Sequence, residues 1–329
     1  MLYGIGNPLV DTIVRVQTDA LERLGVVAGS MNLVDYEHQK KALGAGSTVR
    51  QLPGGSCANT VRGVKWLLGA TGSALEVAYT GAVGRDRSGD GFEALLDTEG
   101  VVPVLARKAT PTGSSVVLVT PDSQRTMFTY LGACRDLAFA DIDTQRVRSC
   151  KILHTTGYMW DTPNQEEAAR EAVREARSAN RLVSFDVADP FVVDRYHDSL
   201  SKWIPGNVDV LFANAAELSA LVAFRGEDEE ILRRAKTFAP TVVMKTGRRG
   251  CMVFSAGKVT RCDAIGDSRN DTTGAGDAFA AGFLFGLLHN DNVESCARIA
   301  NAIAGQIVTV DGCNYDALDP ARVRSMILT

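Results

Sequence analysis

The sequence predicts an α/β fold: a central, mainly parallel β-sheet with helices on both faces, plus a small separate β-sheet. Three observations carry this. Short apolar, β-branched runs alternate with helix-forming runs over most of the 329 residues, the rhythm of βαβ units. Two extended runs joined by a tight turn, at 113–118 and 125–131, break that rhythm. Glycine-rich turns precede helical segments at two places, around Gly54 and around Gly274.

The chain opens on an apolar strand at residues 2–5, which runs into the turn Gly6-Asn7-Pro8. Extended candidates follow at 11–16 and 30–34, in a helix-poor stretch. A helix is expected at 61–68, a strand at 77–83, and a helix at 91–99 with Phe92, Leu95 and Leu96 on one side. Residues 113–118 and 125–131 read as a hairpin around Pro121-Asp122-Ser123-Gln124. Strands at 151–155, 182–186, 208–213 and 241–246 then alternate with helices at 165–180 and 231–238, both rich in helix formers. Four strands without crossover helices fit a parallel sheet poorly. Residues 1–329 are therefore expected to form a single domain whose lid sub-domain comes from about 11–50 and 105–135. The other arrangement is an antiparallel extension of the main sheet. A lid beside an active site would exclude water from it.

Composition bounds the function. Hydrophobic residues are 45% and charged residues 22%, as in ordinary globular domains. A net charge of -4 argues against a nucleic-acid-binding face, which needs a basic surface. The seven cysteines, Cys57, Cys134, Cys150, Cys251, Cys262, Cys296 and Cys313, are scattered without zinc or redox spacing. Reduced, mostly buried thiols fit a cytoplasmic protein. The N-terminus lacks a signal-peptide pattern, and no apolar run is long enough to span a bilayer.

Chemistry concentrates in Asp271-Thr272-Thr273-Gly274-Ala275-Gly276-Asp277, which leads into an Ala- and Gly-rich apolar helix. A helix N-terminus offers unpaired N–H groups, and glycines let a phosphate approach them. Asp277 in the first turn could accept a hydroxyl proton, or it could be a helix-start aspartate favourable to the dipole. A second turn, Pro53-Gly54-Gly55-Ser56-Cys57-Ala58-Asn59, offers close ligand approach at Gly54 and Gly55, or an ordinary loop with Ser56 as N-cap. Asp11 could bind two neighbouring hydroxyls or simply end a turn.

These pieces, in this order, resemble the PfkB family of carbohydrate and nucleoside kinases, the ribokinase-like fold. Four motifs carry the resemblance: the segment from Asp271 to Gly282, the pair Gly54-Gly55 with Asn59, Asn214-Ala215-Ala216-Glu217, and Lys245-Thr246-Gly247-Arg248-Arg249-Gly250. The resemblance as a whole spans almost the whole chain, from Gly6 to Gly312.

The resemblance implies an ATP-dependent kinase with Asp277 as general base and the N–H groups of Gly274, Ala275 and Gly276 as anion hole. Asn214 and Glu217 would organise magnesium and phosphates through water, although a helix cap and first-turn acid is the commoner role of Asn-x-x-Glu. Thr246, Gly247 and Gly250 would lie along the nucleotide, with Asn301 near its adenine. A monovalent cation, potassium in several members, would be held near Asp271, Thr273 and residues 308–312.

Within the family, Gly6-Asn7-Pro8-Leu9-Val10-Asp11 is similar to the opening of the adenosine kinase branch, which implies adenosine as acceptor. Asn7, Asp11, Gly54, Gly55 and Asn59 would then face the sugar. Leu131, Ala133, Tyr158, Met159 and Trp160 would form the apolar slot for a base, or pack in the core. A ribose- or fructose-type sugar kinase shares the same glycine turns, and a nucleotide-binding module without activity is a third reading. The expected partners are small molecules, with neither nucleic acid nor membrane, and the protein a monomer or homodimer.

Overall fold

The computed structural model describes residues 1–17, 19–122, 124–266 and 272–327. In chain order the strands are β1 (Leu2–Ile5), β2 (Leu9–Arg15), β3 (Met31–Leu33), β4 (Ser47–Gly54), β5 (Val77–Gly84), β6 (Val102–Lys108), β7 (Gly113–Val119), β8 (Arg125–Tyr130), β9 (Ile152–Thr156), β10 (Leu182–Asp186), β11 (Val210–Asn214), β12 (Thr241–Lys245), β13 (Cys251–Ser255) and β14 (Lys258–Cys262). Among the described residues they form a nine-stranded sheet, ordered β14-β13-β12-β11-β10-β9-β1-β5-β6, and a five-stranded sheet, β3-β8-β7-β2-β4.

The large sheet is parallel from β12 to β6. Strands β1, β5 and β9 are buried along their whole length, as continuous apolar runs covered on both faces must be. One face carries the helices Ser56–Thr71, Ala275–Leu288 and Val293–Ile307. The other carries Pro163–Ser178, Pro190–Trp203, Ala215–Leu221 and Asp228–Ala235. The helix Ala275–Leu288 is apolar nearly all round, so it sinks into the core instead of lying on it. Gly282 lets it approach its neighbour closely: a Cβ there would lie 2.7 Å from Ala300 Cα.

The edge hairpin β13–β14 pairs antiparallel and was not foreseen. Its two-residue turn uses Ala256 and Gly257, both at positive φ. A primed turn needs that conformation, but alanine is an unusual occupant and gives no sequence signal.

The second sheet stands apart from the first, which excludes the antiparallel extension. It contains five strands, because β4 pairs with β2 and carries the chain directly to Gly54. Strand β6 pairs with β5 in the main sheet, so residues 105–108 do not join the second sheet as expected. Ser123 of the expected hairpin turn lies outside the described residues, while β7 and β8 pair antiparallel up to Val119 and Arg125. All seven cysteines are free thiols. No helix among the described residues is long and apolar enough to cross a membrane.

Replacing Gly282 by Val should lower the unfolding free energy by roughly 1–3 kcal/mol, the scale of core overpacking. Urea denaturation reads this directly, and an unchanged midpoint would show that the two helices are free to separate.

Candidate active site

The carboxyl ends of the parallel strands converge on one edge. The chain leaves β1 towards β5 on one side and β9 on the other, and ligands bind at such switch points. Two cavities open there. One, of about 380 Å³, is lined by Asp186, Asn214, Glu217, Lys245, Gly247, Gly250 and Asn301. The other, of about 430 Å³, is lined by Asn7, Asp11, Asn59, Arg125, Leu131, Tyr158 and residues of the second sheet. Ser56, Ala188, Thr272, Gly274 and Asp277 line both.

Asp277 therefore sits at the junction of the two cavities. Gly274 caps its helix at φ 75°, a conformation glycine adopts without strain. The carboxylate is held from the facing helix: Ser56 Oγ donates to Oδ1 at 2.7 Å and Asn59 Nδ2 donates to Oδ2 at 2.9 Å. Ser56 is thus no N-cap; Gly55 holds that position at φ 95°. Burial pushes the Asp277 pKa up, and the bonds from Asn59 and Ser56 pull it down without cancelling the rise.

The glycine pair serves protein contacts as much as ligand approach. A Cβ at Gly54 would lie 2.4 Å from Asp11 Oδ2, and one at Gly55 would lie 2.1 Å from the Asn7 carbonyl oxygen. Gly54 itself is buried beneath Asp11, and Gly55 lines the larger cavity. Burial and the charge of Asp277 raise the Asp11 pKa to about 7, against the pull of Arg125. Asn7 is fixed by donating to the Tyr158 carbonyl and accepting from Gln165 Nε2.

Across the junction, Lys245 Nζ bonds Asp186 Oδ2 at 2.8 Å. A Cβ at Gly276 would lie 3.3 Å from that same ammonium, so the cation stands beside the helix N-terminus. Burial opposes the charged form of Lys245, but Asp186 and Glu217 outweigh it and raise its pKa. Asn214 and Glu217 form a reciprocal capping box, with Asn214 N donating to Glu217 Oε2 at 2.7 Å and Glu217 N donating to Asn214 Oδ1 at 2.9 Å. They are a helix cap and cavity lining at once. Burial pushes the Glu217 pKa up, Lys245 draws it back, and Asp186 raises it again.

Several residues fall elsewhere than expected. Met159 and Trp160 are fully buried in the core, where Trp160 packs 4.6 Å from Trp203 and 5.3 Å from Phe185 between ring centroids. Ala133 is buried in the turn Gly132–Asp136. None of the three lines the larger cavity, whereas Leu131 and Tyr158 do. The apolar wall comes instead from Met31, Leu33 and Met127, one face of the paired strands β3 and β8. Gly247, Gly250 and Asn301 line the smaller cavity; Thr246 does not, and its N–H bonds the Gly250 carbonyl at 2.8 Å. Asn301 Nδ2 donates to the Cys262 carbonyl at 3.1 Å. Thr273 lines the larger cavity and accepts a hydrogen bond from Arg125, while Asp271 lies outside the described residues.

Arg125, Asp186 and Ser56 went unrecognised in the sequence, and Lys245 was noted only as the start of a motif. For Asp186 and Lys245 the readable signal was position, since a charged residue ending an apolar parallel strand lies at the ligand edge; Arg125 opens β8 and Ser56 opens a helix, and neither carries that signal.

Comparison with known proteins places the fold among carbohydrate and nucleoside kinases. The Dictyostelium discoideum adenosine kinase is 26% identical over 335 residues, covering 96% of each chain. The crystal structure of adenosine kinase from Sinorhizobium meliloti superposes with a TM-score of 0.90 at 31% identity, covering 100% of this chain and 99% of that one. A probable sugar kinase from Rhizobium etli CFN 42 gives 0.88 at 31% identity, covering 95% and 94%. Residues 23–320 match the pfkB family of carbohydrate kinases. The chain belongs to that family, whose members are phosphotransferases acting on an alcohol group.

Proposed function

We propose that this protein transfers the γ-phosphate of ATP to the primary 5′-hydroxyl of a nucleoside, adenosine first among them, with Asp277 as general base. The observation that carries this is the place of Asp277 at the meeting point of two cavities, one suited to each substrate. The larger cavity has an apolar wall of Met31, Leu33, Met127 and Leu131 with the ring of Tyr158, fit for a flat base. Asp11 and Asn7 are among the polar groups that line the same cavity, fit for ribose hydroxyls. The similarity to adenosine kinases supports the same acceptor.

In this mechanism the acceptor lies between the second sheet and the main sheet, with its hydroxyl at Asp277. The second sheet acts as a lid, and its Arg125 already reaches Thr273 beside the helix start. Closing it excludes water, so that ATP is not hydrolysed. Asp277 takes the proton as the hydroxyl attacks. The N–H groups of Gly274 and Gly276 and the Lys245 ammonium hold the charge on the transferring phosphoryl, and that of Ala275, which bonds the Thr272 carbonyl at 3.2 Å, joins them on leaving it.

Magnesium fits the donor set through water. Each Glu217 oxygen accepts one hydrogen bond from Asn214 and keeps a lone pair, which a magnesium-bound water can use. When bound, the ion neutralises phosphate charge. A monovalent cation near Thr273 and residues 308–312 is the finer part of the proposal.

Four outcomes test it. Asp277→Asn should lower kcat by roughly 10²–10⁴-fold, the scale of a lost general base, with little change in ATP binding; an unchanged kcat would discard Asp277 as the base, and a wild type without activity above the variant would favour a nucleotide-binding module. Because Asp277 must be ionised and its pKa is raised, kcat at saturating acceptor, where the effect of Asp11 on binding drops out, should climb with pH along an acid limb above the ordinary carboxylate range, and Asp277→Asn should abolish that limb. Asp11 ionises near 7, and its charged form binds hydroxyls more tightly, so the acceptor KM should fall between about pH 6 and 8 while that of ATP stays level. A panel of adenosine, inosine, guanosine, ribose and fructose, with and without potassium, decides the acceptor: turnover confined to a free sugar would discard the nucleoside reading.

A further inference from the structure

We propose that Arg62 is a positioning residue for the base: its guanidinium, clamped by Glu99, fixes the side-chain amide of Asn59 so that the amide nitrogen faces Asp277. The inference rests on Asp277 as general base and adds the device that holds it.

Arg62 lies one turn beyond Asn59 on the helix Ser56–Thr71 and is buried, with 4% of its side chain exposed. Its Nε and Nη2 donate to the two carboxylate oxygens of Glu99, each at 2.6 Å, a bidentate pair that sets the plane of the guanidinium. The remaining Nη1 points at Asn59 Oδ1, 3.4 Å away. On the far side of the same amide, Asn59 Nδ2 donates to Asp277 Oδ2 at 2.9 Å. A continuous chain, Glu99–Arg62–Asn59–Asp277, thus runs from the rear of the helix to the junction of the two cavities.

The direction of that chain follows from chemistry. Arginine only donates hydrogen bonds, and an ionised carboxylate only accepts them. An asparagine amide between the two has one comfortable orientation, with its oxygen towards Arg62 and its nitrogen towards Asp277. Turned over, it would set two donors face to face on one side and two acceptors on the other. Arg62 therefore acts on Asp277 without touching it. A second hydrogen on Asn59 Nδ2 remains for the acceptor. The pair also explains why a guanidinium is buried here: a neutral partner could face Asn59 with either a donor or an acceptor, and would leave its amide free to turn.

The test uses the full-length protein and the acid limb of kcat at saturating acceptor, which Asp277→Asn first assigns to the base. Loss of that limb on Asp277→Asn is the premise, and a limb that survives there defeats the proposed mechanism instead of this inference. Arg62→Met with Glu99→Met removes both charges together, so the field at Asp277 changes little, and such buried pairs are often replaced by apolar residues without loss of stability. The amide then loses its guide. Since the Asn59 bond holds the Asp277 pKa down, the limb should move upward, by about one pH unit. The other groups facing the carboxylate, Ser56, Asp11, Asp186, Lys245, Tyr158, Cys57, Cys313 and Tyr315, are unaltered in both proteins.

Asn59→Ala alone should produce a shift of the same sign, and adding the Arg62 and Glu99 changes to it should produce no further one. KM for ATP should stay within about twofold throughout. If the double variant does not fold, Arg62→Gln with Glu99→Gln keeps the polar packing but offers Asn59 both donor and acceptor, and should lift the limb likewise. A limb that stays in place in the folded variant, or a shift that adds in full to that of Asn59→Ala, overturns the proposal.

Discussion

A single buried carboxylate sets the demands that the rest of the structure meets. Asp277 lies between the first turns of two helices, Ser56–Thr71 and Ala275–Leu288, and burial alone would favour its neutral form. Two side-chain donors, the positive end of its own helix and the Lys245 ammonium counter that penalty. To supply them the two helices must meet closely. Small residues allow it: a Cβ at Gly63 would lie 2.7 Å from the Ala281 methyl. The Ala- and Gly-rich character of the second helix is thus a requirement of electrostatics as well as of packing.

The sequence was most legible where geometry is local. A glycine turn running into a helix drew attention to Asp277, and Asp277, Asn214, Glu217, Gly247 and Gly250, all picked out by motif, line the smaller cavity. Alternating strands and helices gave the main sheet, because periodicity records burial directly. It was least legible where distant segments meet. Met31, Leu33 and Met127 form one apolar wall only because β3 lies alongside β8, a parallel pairing between segments nearly a hundred residues apart. Tyr158, Met159 and Trp160 are adjacent in the chain, but only Tyr158 faces the cavity. The tight turn Gly157–Asp161 sends its neighbours into the core, where aromatic partners await Trp160.

The glycine pair shows how one motif can have two physical causes. Gly54 and Gly55 end β4 and open the helix that carries Ser56 and Asn59. Their missing side chains leave room for the Asp11 carboxylate and the Asn7 carbonyl, groups that begin the second sheet and end the first strand. The turn is therefore where the small sheet, the large sheet and the base-holding helix come into register. An alanine at Gly55 would combine a strained φ with a backbone clash, even though a ligand never touched it.

The separation along the chain of the groups that hold the base has a consequence for biosynthesis. Ser56 and Asn59 lie 221 and 218 positions before Asp277. While the chain emerges from the ribosome, the first helix and the nucleotide-lining strand ends are made long before the carboxylate they serve. A nascent chain that has not yet reached Asp277 lacks that carboxylate. It also lacks Phe279, Asn301, Ala304, Gly305 and Val308, which line the smaller cavity, so the cavity and the group at its junction are completed together in the last part of synthesis.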